Sequence, residues 1–346
     1  MSITVLASSS AAKQDRIAAL DFAKGALVLT MVLYHWINYF VGADWPYYRY
    51  LRFLTPSFIF VSGFLISNVY LTKYRGDSRH LTWRLVSRGL KLLVIFLALN
   101  LARIAMPSRM IDTQVSARHM SLENLALAFA SGNVYANAGK LVAFYILVPI
   151  GYLLILSALL ERPYRKFKWT FHLALGCTMA LILVFYLGGI KSDNLQMVGI
   201  GLLGAWLGFN SIEKINRVIR YPFALAILYV GYLIAITIWN VPFALLAFGA
   251  VLNVLCIYLI GLRIAGHGIL PKQVNLLGKY SLFGYIAQIA ILQILHGLMR
   301  SVSTGPLGLV VSFLAAFVLT TASVILLDRM RHSSTKVDSV YRAIFA

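Results

Sequence analysis

Carboxylates are scarce in this chain. Its 346 residues hold 11 Asp and Glu against 31 Lys and Arg, a formal charge of +20, and charged residues of both signs together make up only 12%. Soluble globular domains carry about a quarter charged residues, so a water-soluble fold is excluded. A composition that is 60% hydrophobic and rich in aromatics also excludes disorder. Cysteine is nearly absent: Cys177 and Cys256 each lie inside an apolar run, with no metal-ligand spacing around them, so neither a disulfide framework nor a metal site is expected. The basic excess falls between apolar runs and forms no single stripe, which points to membrane topology, lipid headgroups or an anionic substrate, and away from nucleic acid.

What the chain does have is long apolar runs. A spanning helix needs about 20 mainly apolar residues, and ten candidates can be read: 22–41, 51–71, 85–105, 141–160, 171–190, 195–209, 221–239, 241–261, 282–298 and 307–327. The fold class is therefore all-α, a polytopic membrane protein of about ten transmembrane helices. Loop charge supports the count. With the N-terminus in the cytoplasm, 22 of the 31 basic residues fall in inward segments and eight in outward ones, with Lys24 inside the first helix. Both termini are expected in the cytoplasm. The N-terminal run has no small-residue cleavage site, so the first helix is expected to act as its own insertion signal. The expected organisation is a cytoplasmic N-terminal tail (1–20), a ten-helix membrane domain (21–328) with an outer loop at 106–140, and a cytoplasmic C-terminal tail (329–346).

The outer loop is rich in polar groups, among them Arg109, Arg118, His119 and Glu123, around a weakly apolar piece at 125–130 that is too short to span. Two readings stand for it: a solvated loop with an interfacial helix, or a capping element that touches a polar acceptor. Trp45, Tyr47 and Tyr48 on the first outer loop are belt aromatics or a surface for a sugar. The Gly204 to Gly208 spacing reads as a helix-packing face within the chain.

Ionisable groups at membrane depth are costly and so informative. The cores of the last seven candidate spans contain no Asp, Glu, Lys or Arg, which argues against an ion-coupled transporter built on buried carboxylates. The first span differs: LDFAKGALVLTMVLYHW carries Asp21, Lys24 and His35. Lys24 and His35 are eleven residues apart, so they return to nearly the same helix face roughly 16 Å apart along the axis. Asp21 and Lys24 stand at i, i+3, the spacing of a pair. The third span opens with WRLVSRGLKLL, where Arg84, Arg88 and Lys91 form a basic strip at the cytoplasmic boundary. Such a strip anchors lipid headgroups or holds phosphate, which the planar guanidinium fork suits.

The runs RIAALDFAKGALVLTMVLYHW, FIFVSGFLIS, WRLVSRGLKLL and LGKYSLFGYIAQIAIL together resemble the acyltransferase-3 superfamily of multi-pass membrane acyltransferases, including its glucan-modifying (OpgC-like) and heparan-glucosaminide acetyltransferase-like relatives. The resemblance implies acyl transfer from cytoplasmic acyl-CoA, acetyl-CoA in the first place, to a hydroxyl of an extracytoplasmic glycan or glycolipid, at the cytoplasmic (inner) membrane of a bacterium. It also implies His35 as general base and Lys24, Arg84 and Arg88 as the donor's phosphate site. Lys24 stands where the family pattern has Arg, and Gln288 where a His is common. Two other classes stay open: a transporter or flippase of a lipid-linked or polar intermediate, which should show repeated halves that this sequence lacks, and a non-catalytic relative.

Overall fold

The computed structural model describes residues 18–42, 45–74, 76–105, 122–132, 135–136, 139–140, 142–239, 241–264, 268–299 and 305–345. Lys13, Arg16, Arg109, Arg118, His119 and Arg300 lie outside them.

The architecture is all-α, as expected. The helices are α1 (Ala18–Trp36), α2 (Leu54–Leu65), α3 (Ser78–Ala105), α4 (Leu122–Ala130), α5 (Leu147–Lys166), α6 (Thr170–Leu187), α7 (Asp193–Gly208), α8 (Ile212–Val218), α9 (Pro222–Trp239), α10 (Phe243–Ile264), α11 (Ile269–Lys279), α12 (Ser281–Met299), α13 (Pro306–Ser333) and α14 (Thr335–Phe345). Among the described residues the only β pairing is a two-residue antiparallel ladder, Tyr135–Ala136 with Gly139–Lys140. Among the described residues nine helical segments are long and apolar enough to span, and a tenth crossing follows if α7, which meets α8 at a bend of 101°, is counted. At 16 residues α7 rises about 24 Å, short of a hydrocarbon core of about 30 Å. It tolerates this because it lies inside the bundle, with Val198 to Leu202 mostly buried.

Contacts sort the helix ends onto two faces. On one face Arg165 donates to the Tyr74 carbonyl, Ser78 to Glu161, Tyr258 to Asn216, and Lys279 pairs with Asp328. On the other, Trp36 donates to Ser312, Gln293 to Tyr39 and Arg49 to the Thr237 carbonyl. These two groups coincide with the inward and outward segments read from charge. The large apolar side chains that remain exposed, such as Val94 on α3, Leu187 on α6, Ile234 on α9 and Val318 on α13, form the outside of the bundle, where a bilayer replaces water.

Between helices in lipid the hydrophobic effect gives little drive, and close packing takes its place. Small residues supply it at several seams, α3 against α5 at Gly89 and Gly151 among them. Along α2 and α7, a Cβ added to Gly63 would stand 1.8 Å from the Gly201 carbonyl oxygen and one on Gly204 would stand 2.1 Å from that of Phe60, so the glycine spacing read from sequence is an intramolecular packing face. Along α1 and α11, a Cβ on Gly278 would stand 1.7 Å from the Asp21 carbonyl oxygen. The outer loop contributes α4, which docks on the start of α7: Asn194 donates to the Ala128 and Phe129 carbonyls at 2.9 Å each and accepts from the Tyr145 hydroxyl at 2.9 Å. The contacts of α4 are with the bundle itself; residues 106–121, with the rest of this loop's polar groups, lie outside the described residues. Tyr48 is buried and stacked on Tyr34 with centroids 4.8 Å apart, whereas Trp45 and Tyr47 are exposed.

Candidate functional site

Two cavities flank α2, and Val61 lines both. One, of about 350 Å³ beside α7, α8 and α10, is apolar except for Asn210 and Lys214 at its rim. The other, of about 370 Å³, is enclosed by α1, α2, α3, α5, α11, α12 and α14 and gathers four cations: Lys24, Arg88, Lys91 and Lys279. Hydroxyls of Ser62, Tyr70 and Ser281 join them, and Phe58, Leu92, Leu147, Ile150 and Leu282 line its apolar depth.

Local structure explains these positions. Lys24 projects from α1 one residue before Gly25, where α11 touches the α1 backbone, and its Nζ is 2.6 Å from Asp21 Oδ1. Lys279 ends α11 on the far side of the same contact, with Nζ 3.0 Å from Asp328 Oδ1, which also accepts from the Tyr280 hydroxyl at 2.5 Å. Beyond Leu65 the helix of α2 widens into a π turn, Ile66–Leu71, a feature frequent at functional sites. This turn directs Tyr70 and Tyr74 at α3. Arg88 donates to the Tyr70 hydroxyl and lies 5.6 Å from that ring's centroid, while Arg84 donates to the Tyr74 hydroxyl at 2.7 Å. The basic strip is thus real, but Arg88 and Lys91 line the cavity and Arg84 is turned aside onto Tyr74.

His35 is buried near the end of α1. Its ring meets Tyr34 edge-on with centroids 5.1 Å apart and lies 6.3 Å from the ring of Tyr285. Tyr285 lines the cationic cavity; His35 does not. With Phe58 and Phe144, whose centroids are 6.4 and 6.3 Å from its own, Tyr285 forms an aromatic partition between cavity and imidazole. One turn further along α12, Gln288 is fully buried with neither amide atom hydrogen-bonded. An unsatisfied buried polar group costs about 1–3 kcal/mol, so this amide is a costly group to hold inside the bundle. Among the described residues no three His, Cys, Asp or Glu side chains come together as a metal site.

Lys24 and Arg88, read from sequence, therefore share one cavity, with His35 one aromatic ring behind it. Lys279, Tyr70 and Tyr285 were missed. Lys279 reads as one more topogenic charge, and a tyrosine inside an apolar run carries no signal that separates a lining residue from packing.

No curated protein and no solved structure matches the chain. A family model does, over residues 17–329: that of the acyltransferase-3 type, described as an acyltransferase domain. This range runs from the start of α1 almost to the end of α13 and takes in both the cavity and His35, so the chain belongs to the acyltransferase-3 family of membrane acyltransferases.

Proposed function

We propose that this membrane acyltransferase takes its acyl group, an acetyl group in the first instance, from acyl-CoA at the basic face and passes it to a hydroxyl of a glycan or glycolipid reached from the opposite face, in the inner membrane of a bacterium. The observation that carries this reading is the single cavity that combines Lys24, Arg88, Lys91 and Lys279 at its polar side with an apolar depth ending at Tyr285. Phosphates suit the first part and a narrow uncharged arm with its thioester suits the second. By the positive-inside rule the basic face is the cytoplasmic one, where CoA thioesters are found. The α12 helix begins at Ser281 in the cavity wall and turns the positive end of its dipole toward an anion there. The fit is to this donor class; Arg84 contributes to it through Tyr74 and the charge of the α3 strip.

The chemistry asked of His35 is general base catalysis. Its neutral imidazole takes the proton of the acceptor hydroxyl as that oxygen attacks the thioester carbonyl; the CoA sulfur leaves and recovers the proton from the imidazolium. For carbonyl and imidazole to meet, the Tyr285 ring has to rotate out of the partition as the donor arm arrives. The test is thiol release from acetyl-CoA by the purified chain in lipid nanodiscs, with and without glycan acceptor. His35→Ala is expected to lower kcat by about 100-fold or more while CoA still binds with wild-type affinity. Full turnover by His35→Ala would remove this residue from the reaction, and a wild-type chain that binds no acyl-CoA would remove the donor.

A further inference from the structure

The last helix, α14, lies beyond residue 329, where the match to the family ends. Its sequence TKVDSVYRAIF sets Val337, Tyr341, Ile344 and Phe345 at helical spacing on one side. None of its residues is buried, yet Tyr341, Ile344 and Phe345 line the cationic cavity together with Lys24, Arg88 and Lys279. The rings of Tyr341 and Phe345 are stacked, with centroids 5.0 Å apart and planes 24° apart. Tyr280 meets Tyr341 edge-on at 5.4 Å, and Phe283 meets Phe345 edge-on at 6.0 Å. The Arg331 guanidinium sits over Tyr341, 3.9 Å from its centroid, and Lys279 Nζ is 4.9 Å from the centroid of Tyr280. The helix is fixed in place by Asp338, which pairs with Arg331 at 2.5 Å and Arg342 at 2.6 Å.

Phe345 and the Arg331 guanidinium cover the two faces of Tyr341, so the ring left to face a ligand is that of the half-exposed Phe345, backed by Tyr341 and set beside a row of cations, a poor packing core and a good surface for a flat ring that carries phosphate. Bases stack on aromatic side chains through their π faces, and neighbouring cations add to the attraction. We propose that Phe345, backed by Tyr341, forms the platform for the purine base of the donor's nucleotide, with Lys279 and Arg88 taking its phosphates. The α14 helix then completes the donor site from outside the part of the chain shared with the family. This inference rests on the acyl-CoA reading of the cavity.

The test compares two donors that deliver the same acyl group, acetyl-CoA and acetyl-pantetheine, which lacks the nucleotide. It uses the full-length chain in nanodiscs and three variants: Tyr341→Leu and Phe345→Leu, which keep bulk and remove the π face, and Tyr341→Phe, which keeps it. In the Leu variants the preference for acetyl-CoA over acetyl-pantetheine, as a ratio of kcat/KM, is expected to fall about tenfold, through KM for acetyl-CoA, and in Tyr341→Phe to stay at the wild-type value. An unchanged ratio in both Leu variants, whether activity is high or uniformly reduced, would overturn the platform and assign α14 a structural role only. A wild-type chain that binds no CoA would overturn the donor reading and the platform with it, a result distinct from wild-type CoA binding with insensitive variants.

Discussion

Replacing Gly25 by Ala tests whether the contact between α1 and α11 sets the spacing of the cations. A Cβ at Gly25 would stand 1.8 Å from the Val274 carbonyl oxygen, 2.8 Å from its carbon and 2.9 Å from the Gly278 nitrogen. The shortest of these falls 1.2 Å inside the 3.0 Å that real Cβ atoms keep, and all three obstacles are backbone, which no rotamer change relieves. The two helices therefore have to separate by roughly an ångström, which places the substitution at the upper end of the usual cost of overpacking, about 3 kcal/mol. Lys24 and Lys279 are the immediate neighbours of Gly25 and Gly278 and line the cavity, so the same movement drives them apart. A misplacement of about 1 Å can cost about 100-fold in turnover. The expected outcome is a lower unfolding midpoint in detergent together with a kcat/KM for the acyl donor reduced by about two orders of magnitude. The control is Gly176→Ala on α6, where nothing lies within 4 Å of the added atom; there the better helix propensity of Ala is neutral or stabilising by up to about 1 kcal/mol. A Gly25→Ala protein with wild-type midpoint and wild-type donor KM would refute the claim that this contact shapes the site.

Gln288→Met removes a buried amide that has no hydrogen-bond partner; it is expected to raise the unfolding midpoint, by the equivalent of about 1–3 kcal/mol, and to lower turnover, and a variant both less stable and fully active would show that the amide serves packing alone. Asp338 is held below the ordinary carboxylate range, chiefly by the hydrogen bond from Arg331 and then by Arg342. A lowered folded-state value means that the clamp contributes above the ordinary carboxylate range and is lost as pH falls through the depressed value, so protease cleavage after Arg342 is expected to stay slow across the neutral and mildly acidic range in which such a protease works. Asp338→Asn should show fast cleavage at pH 7, and equal rates for both proteins would remove the clamp.

The spans were legible because length and hydropathy are properties of single segments. Even α7, the short one, shows its ends in Ser192, which caps it by accepting from the Leu195 amide, and in the break before Ser211. Half of the site was legible for the same reason: Lys24 and His35 sit on one helix, and helical spacing relates them without tertiary knowledge. The strip Arg84, Arg88 and Lys91 could be read as a strip, but which member faces the cavity depends on where Tyr70 and Tyr74 stand, and that follows from the π turn Ile66–Leu71, which the sequence ISNVYL does not announce. Lys279 and Tyr285 enter the site only because α11 and α12 are separate helices that meet at Tyr280 beside α1, a tertiary fact. The segment 329–346, read as a tail, carries the apolar period of α14 in Val337, Tyr341, Ile344 and Phe345, and this was there to be seen.

If Lys24 and His35 act on one substrate, as proposed, the rigidity of α1 limits which donors can work. Near its start α1 is pinned to α11 at Gly25, and at its end Trp36 donates to Ser312 of α13 at 2.8 Å, with α2, α10 and α12 packed between. Lys24 and His35 thus cannot approach one another by bending, and their separation of roughly 16 Å along the axis is fixed. A donor engaging both has to carry its anionic group and its reactive carbonyl at opposite ends of a long, thin chain, since the depth between them is lined by Phe58, Leu147 and Leu282 and closed by Tyr285. On the proposed reading of the site, a small donor in which acyl and phosphate are adjacent, such as acetyl phosphate, would bind at the cations with its carbonyl still far from the imidazole. Acetyl phosphate is therefore expected to inhibit competitively at high concentration and to transfer no acetyl group; turnover with it at a rate comparable to acetyl-CoA would mean that lysine and imidazole do not act on one substrate molecule.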